Sequence, residues 1–257
     1  MTRKITLLLF ALWALIFAGK AQEPRTIHVL VALADNYYQG IVPVPDHLGN
    51  GQNPSSNLYW GAMYGVRTFF SNSGDWELLT KEKLSEGPVL ERLVFKHVDE
   101  AVFMVADAYD GQHIAQATFD YFRYVAGYDA DVLATEQQGT VGIGGSANLV
   151  IYLGHNGLMD FQLEEYPVAK ENRRADAMAI CCVSKDYFSD PLQRGGARSV
   201  LLTTGLMAPE AYVLEAVLQG WVWNETPDAI CERAANAYDR YQHCGINGAR
   251  RLFTPGW

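Results

Sequence analysis

A chain of 257 residues, 49% hydrophobic and 19% charged, has the composition of an ordinary globular protein with material for one good core. Its formal net charge of −9 and its lack of a basic cluster argue against nucleic-acid and anionic-lipid partners, since Arg173-Arg174 and Arg250-Arg251 are isolated pairs. Four cysteines are too few for a disulfide scaffold of this size, and without CxxC or HxxxH spacing they support neither a metal site nor a metal cofactor.

The first predicted element is a targeting segment. Residues 1–21 begin with a basic stretch (Arg3, Lys4) and continue in an apolar run from Ile5 to about Ala18. Small residues at Gly19 and Ala21 then offer a cleavage site, the pattern of a secretory signal peptide. An apolar run of about 14 residues is short for a bilayer span. Removing the three basic residues of this segment takes the net charge from −9 to −12. The expected mature chain, residues 22–257, is a single domain with a C-terminal helical extension. It is expected to be secreted or periplasmic, with no stable membrane span after signal cleavage.

Five short apolar runs follow in chain order: IHVLVALA (27–34), EAVFMVADA (100–108), NLVIYL (148–153), DAMAICC (176–182) and RSVLLTT (198–204). They lack strict alternation and end in Gly, Asp or Ser, so they read as strands buried on both faces. Helical patterns lie between them, over 57–70, 111–127, 210–223 and 228–242, with a short one near 171–175. Gly127 is placed to cap the second of these, and Pro209-Glu210 opens the third. Strands alternating with helices predict an α/β fold with a largely parallel central sheet and helices on both faces. Reacting groups then belong at the carboxyl ends of the strands, at Asp35, Asp107, His155, Cys182 and Thr204.

Other chemistry fails on spacing. The glycine run Thr140–Ser146 has no following Lys-Ser/Thr, so it is not a P-loop. Neither Ser146 nor Ser184 sits in a G-x-S-x-G elbow. Glu164-Glu165 reads as a solvated face. Cys231 and Cys244, thirteen residues apart, could form one bridge or remain two free thiols.

Two strand ends stand out. LVIYLGHNGLMDF (149–161) delivers His155, and ADAMAICCVSK (175–185) delivers Cys181 and Cys182. Neighbouring parallel strands would bring imidazole and thiol to one edge of the sheet. A free thiol is mostly protonated at neutral pH, and a nearby imidazole supplies the base it needs. A backbone N–H near Gly157 is a candidate oxyanion donor.

Gly154-His155-Asn156-Gly157 and Ile180-Cys181-Cys182-Val183-Ser184 resemble the histidine and cysteine motifs of the caspase-like cysteine peptidases, the superfamily of legumain, gingipain, separase and metacaspase. The resemblance spans roughly residues 27–225 and rests on these two motifs. It implies a caspase-like fold and a cysteine endopeptidase acting on peptide or protein substrates. Cys182 would be the nucleophile, His155 its partner, and no cofactor is needed. Asn156 stands where glycine is usual; asparagine tolerates left-handed backbone angles, so it is expected to do glycine's job. The resemblance also implies a specificity pocket beside the first and last strands. Asp35, Asn36 and Asp107 (or Asp110) are the candidates, suited to a basic side chain. The alternative is an exported α/β binding or structural module of the same fold without catalysis.

Overall fold

The computed structural model describes residues 24–135 and 139–257; the expected signal peptide lies outside the described residues. Among these residues the strands are β1 (Arg25–Ala32), β2 (Trp76–Lys83), β3 (Val89–His97), β4 (Val102–Tyr109), β5 (Ala130–Thr135), β6 (Gly139–Gly144), β7 (Leu149–Gly154), β8 (Asp176–Ile180), β9 (Arg198–Thr203) and β10 (Phe253–Thr254). The helices are α1 (Val66–Ser71), α2 (Ile114–Val125), α3 (Ser184–Arg194), α4 (Ala211–Val222), α5 (Pro227–Gln242) and α6 (Ile246–Leu252).

Eight strands form one sheet in the order β10-β9-β8-β7-β1-β4-β3-β2. Its centre, β9-β8-β7-β1-β4, is parallel throughout. The edge strands β10, β3 and β2 pair antiparallel. All five predicted strands are present, and they are the parallel ones. Every residue of β4 and β7 is buried, which explains their unbroken apolar sequence.

Successive side chains leave a strand on opposite faces. Val29, Val31, Ile151 and Leu153 join the core that α1, α4 and α5 cover. Leu30, Ala32, Val150 and Tyr152 join the core that α2 and α3 cover. The protein is therefore α/β, with a mostly parallel mixed sheet between two helical layers. Each fully buried Val, Leu or Ile contributes about 1.5–3 kcal/mol. The C-terminal segment belongs to this core: Ile230, Ala234, Ala235 and Tyr238 of α5 are buried in it, and β10 pairs with β9.

Several elements differ from expectation, each for a local reason. The helix predicted from residue 57 forms only at Val66–Ser71. Residues 57–64 fold as turns around the buried Asn57, whose side chain bonds the backbone of Ala34, Asn50 and Tyr59. A Cβ at Gly61 would sit 2.2 Å from Ser55 O, so this glycine serves a backbone contact. No helix forms at 171–175. Helix α3 is mostly polar and has Pro191 inside it; its buried stripe, Ser184, Phe188, Pro191 and Leu192, holds too few apolar residues to mark it as a helix. The glycine run of 139–144 is a strand paired with β5 in a separate hairpin.

Candidate active site

Strands β7 and β8 are parallel neighbours, with Leu153 opposite Ile180, and Ala32 of β1 lies opposite Gly154. Their carboxyl ends therefore lie side by side. His155 follows β7, and Cys182 stands two residues beyond β8.

The turn that carries Cys182 is tight. Three residues, Cys181 to Val183, join β8 to α3. Val183 has φ 49° and ψ 34°, a left-handed conformation that a β-branched residue adopts only under constraint. The constraint is visible. Val183 N–H donates to Gly205 O at 2.9 Å, and Ser184 Oγ donates to Ala179 O at 2.8 Å. Ser184 N–H donates to Thr203 Oγ1 and Thr203 N–H returns a bond to Ser184 Oγ, tying the turn to β9. Thr203 Oγ1 also donates to Cys181 O.

The two adjacent cysteines face different surroundings. Cys181 is fully buried, and burial together with the neighbouring Cys182 pushes its thiol well above the ordinary range. Cys182 is half-buried and lines a cavity of ≈ 520 Å³. Met207 N–H donates to Cys182 Sγ at 3.3 Å, and Sγ donates to Met207 O at 3.4 Å.

His155 lines the same cavity. Gly154, before it, has φ +143°, and a Cβ there would meet Ala32 O at 2.6 Å. This glycine lets β7 end close against β1 and turn. His155 Nε2 is 2.7 Å from Asp160 Oδ2, and the same oxygen accepts the Gly40 N–H at 2.8 Å. The Tyr152 hydroxyl donates to His155 O at 2.7 Å. With Nε2–H given to the carboxylate, Nδ1 is the nitrogen left for chemistry. No hydrogen bond joins His155 to Cys182 among the described residues; the two share a cavity wall.

Asn156 does not replace a glycine's backbone, contrary to expectation. Its φ is −77° and ψ 93°, ordinary extended values. It is fully buried, and its side chain acts instead: Nδ2 donates to Cys182 O at 2.7 Å while Oδ1 accepts the Leu158 N–H at 3.1 Å. The histidine turn and the cysteine turn are thereby bonded to each other.

Gly157 is not at the cavity wall. It is buried in a single 3-10 turn with its N–H facing the Tyr152 hydroxyl, so it is not turned toward the cavity as an oxyanion donor. Tyr59 is a polar group that does reach the cavity. Its ring is buried in the core and its hydroxyl bonds no other described residue. Burial, helped by the nearby Cys182 and Glu210, raises its pKa, so the hydroxyl keeps its proton and can donate.

The acidic pocket candidates are used up elsewhere. Asp35 is buried and accepts from the N–H groups of Tyr37, Tyr38 and Gly51 and from Gln52 Nε2, which shapes the loop after β1. The Asn36 amide makes two bonds to the backbone of Val44 in that loop. Asp107 is buried away from the cavity. Arg92 grips it with two bonds of 2.7 Å, and His28 Nε2 lies at 3.0 Å. Burial alone would raise its pKa; Arg92 and His28 hold it down to about 2. His28 Nδ1 accepts the Gly144 N–H at 2.9 Å, so this group ties the β5–β6 hairpin to the sheet. These three residues build structure rather than a basic-side-chain pocket.

Cys231 and Cys244 are free thiols, not a bridge. Cys231 is buried facing Val200 O, and burial pushes its thiol up to about 12, whereas Cys244 is exposed. The helix explains it. At 1.5 Å per residue, about 16 Å of α5 separates Cys231 from Gln242, beyond the roughly 7 Å that a disulfide spans.

Asp160, Tyr59 and the bridging role of Asn156 went unseen in the sequence. Asp160 carried a signal, an acid five residues after the histidine in the same turn-rich stretch. Tyr59 carried none, since it comes from a segment read as helix. No protein-family model, curated protein or solved structure matches this chain.

Proposed function

We propose that this protein is a cysteine hydrolase of the endopeptidase type, acting through Cys182 and His155 without a cofactor. One observation carries the reading. Two neighbouring parallel strands end in a histidine and a cysteine that line one cavity, and the histidine is oriented by a carboxylate. The order of these strands and the sequence motifs support kinship with the caspase-like peptidases, and the signal-like N-terminus supports export.

The chemistry is acyl transfer. Cys182 Sγ leaves its bond to Met207 O and passes its proton to His155 Nδ1. The sulfur attacks the scissile carbonyl carbon and forms a C–S bond. The Tyr59 hydroxyl is the side-chain donor available to the developing oxyanion. His155 gives the proton to the departing amine as the C–N bond breaks. Water then attacks the thioester, His155 takes its proton, and the carboxylate product and free thiol are released. Asp160 holds the imidazole in the tautomer that presents Nδ1.

Exchanging single cysteines tests the assignment. Cys182→Ala abolishes peptide turnover with the melting temperature unchanged, and Cys181→Ala leaves turnover within about twofold. Turnover that survives Cys182→Ala, or is lost only in Cys181→Ala, refutes it. A second reading has one observation in its favour. Cys182 Sγ is bonded at both Met207 N and Met207 O and not to His155, as in a non-catalytic binding module of the same fold.

A further inference from the structure

We propose that the cavity beside Cys182 is an acyl-side pocket for a large uncharged apolar side chain, so that the substrate class is peptides cut after leucine- or methionine-like residues. The inference rests on the cysteine-hydrolase reading and names the substrate of that site.

The walls carry the argument. Ile41, Val44 and Leu58 line the cavity from the chain after β1, and Met207 and Ala208 line it from the segment between β9 and α4. At ≈ 520 Å³ it falls in the ~300–1,000 Å³ range of small-ligand pockets. The rim is apolar too. Val42 is 86% exposed, Leu206 74% and Met159 41%, and all three line the same cavity. Apolar groups gathered around a concave mouth mark a surface that something apolar covers. The acyl residue is the one tethered to Cys182 during turnover. Its side chain is thus the one held against Met207 and Ala208, next to the sulfur.

A cation is poorly served here. Asp35 and Asp107 are outside the cavity and fully bonded. Asp160 is engaged by His155 and Gly40. Glu210 does reach the wall, but its carboxylate accepts from the Tyr212 hydroxyl at 2.9 Å and from Gln242 Nε2 at 3.3 Å. Burial also raises the Glu210 pKa, which disfavours its charged form. Both bonds fall on Oε2, so an ammonium or guanidinium entering this pocket would exchange its water for, at most, the one remaining oxygen of a carboxylate already shared with Tyr212 and Gln242.

The test uses peptidyl-coumarin amides that differ only in the residue before the scissile bond: Leu, Met, Arg, Lys or Asp. The purified protein is expected to show kcat/KM for Leu and Met at least about tenfold above Arg, Lys and Asp, the scale of discrimination an apolar pocket supplies. Leu206→Asp, at an exposed position, is expected to lower kcat/KM for the Leu substrate about tenfold without changing the melting temperature. Equal or better cleavage after Arg or Lys overturns the pocket assignment and leaves the catalytic reading intact. So does a Leu206→Asp variant whose kcat/KM for the Leu substrate is unchanged. If nothing is cleaved, anisotropy titration of the Cys182→Ala variant with fluorescein-labelled tripeptide amides decides. Tighter binding of the Leu than the Arg peptide by about tenfold or more keeps the pocket while the catalytic reading fails. No preference, or preference for Arg, overturns the pocket as well.

Discussion

Asp160 Oδ2 lies 2.7 Å from His155 Nε2, and the same oxygen accepts the Gly40 N–H at 2.8 Å. One carboxylate therefore fixes the imidazole and the loop that walls the cavity. The two duties separate by substitution. Asp160→Asn can still accept from Gly40 but loses the charge that orients the imidazole. Its kcat is expected to fall about 100-fold with KM within about twofold, the scale of a general acid–base contribution. Asp160→Ala also frees the loop, and KM is expected to rise as well. Steady-state kinetics on one peptide substrate checks both. Unchanged kcat in Asp160→Asn removes Asp160 from the mechanism.

Tyr59 lines the cavity that holds Cys182, and its hydroxyl has no hydrogen-bond partner among the described residues. Tyr59→Phe keeps the packed ring and removes only the donor. The expected result is a kcat lower by about 10–100-fold with thermal stability unchanged. A melting temperature that drops, with kcat intact, would mark the hydroxyl as structural.

Asn156 bonds the histidine turn to the Cys182 carbonyl at 2.7 Å from a fully buried position. Asn156→Ala leaves that carbonyl and the Leu158 N–H without their partner. The expected cost is about 1–3 kcal/mol in urea unfolding, with a loss of turnover beyond what stability explains. A fully active variant would mean that the two turns hold their places independently.

Asp107, Arg92 and His28 predict the acid response of the fold. The folded pKa of Asp107, about 2, lies below the ordinary carboxylate value of about 3.9. A depressed carboxylate stabilises the fold above the unfolded pKa, and the contribution is lost as pH falls through the folded one. Stability is therefore expected to fall between about pH 4 and pH 2, with about 2–3 kcal/mol from this group. Arg92→Ala leaves a buried carboxylate with His28 alone. It is expected to cost about 3–5 kcal/mol at neutral pH and to move the acid transition upward. Urea unfolding at a series of pH values measures both, and an unmoved transition contradicts the account.

The parallel centre of the sheet was legible because burial on both faces writes itself as unbroken apolar runs, as in Val102–Val105 and Leu149–Leu153. The antiparallel edge was not. β2, with mostly exposed side chains, has no such run. That His155 and Cys182 stand at neighbouring strand ends and line one cavity was legible because parallel neighbours align their ends. Roles set by side-chain direction were not. Asp107 follows apolar residues on β4, and only the fold shows it meeting Arg92 and His28 inside the sheet. Asp35 and Asn36 sit at a strand end, as a pocket would require, yet their bonds run to their own loop. Backbone economy also hid Asn156, whose amide does its work at a carbonyl 26 residues away.

The central claim is that Cys182 and His155 act as one unit, and timed alkylation with mass mapping tests it most directly. Iodoacetamide at neutral pH should label Cys182 in the native protein faster than the same thiol in the denatured chain. In His155→Ala that advantage should vanish. Slow labelling of native Cys182, or fast labelling that persists in His155→Ala, would contradict the account.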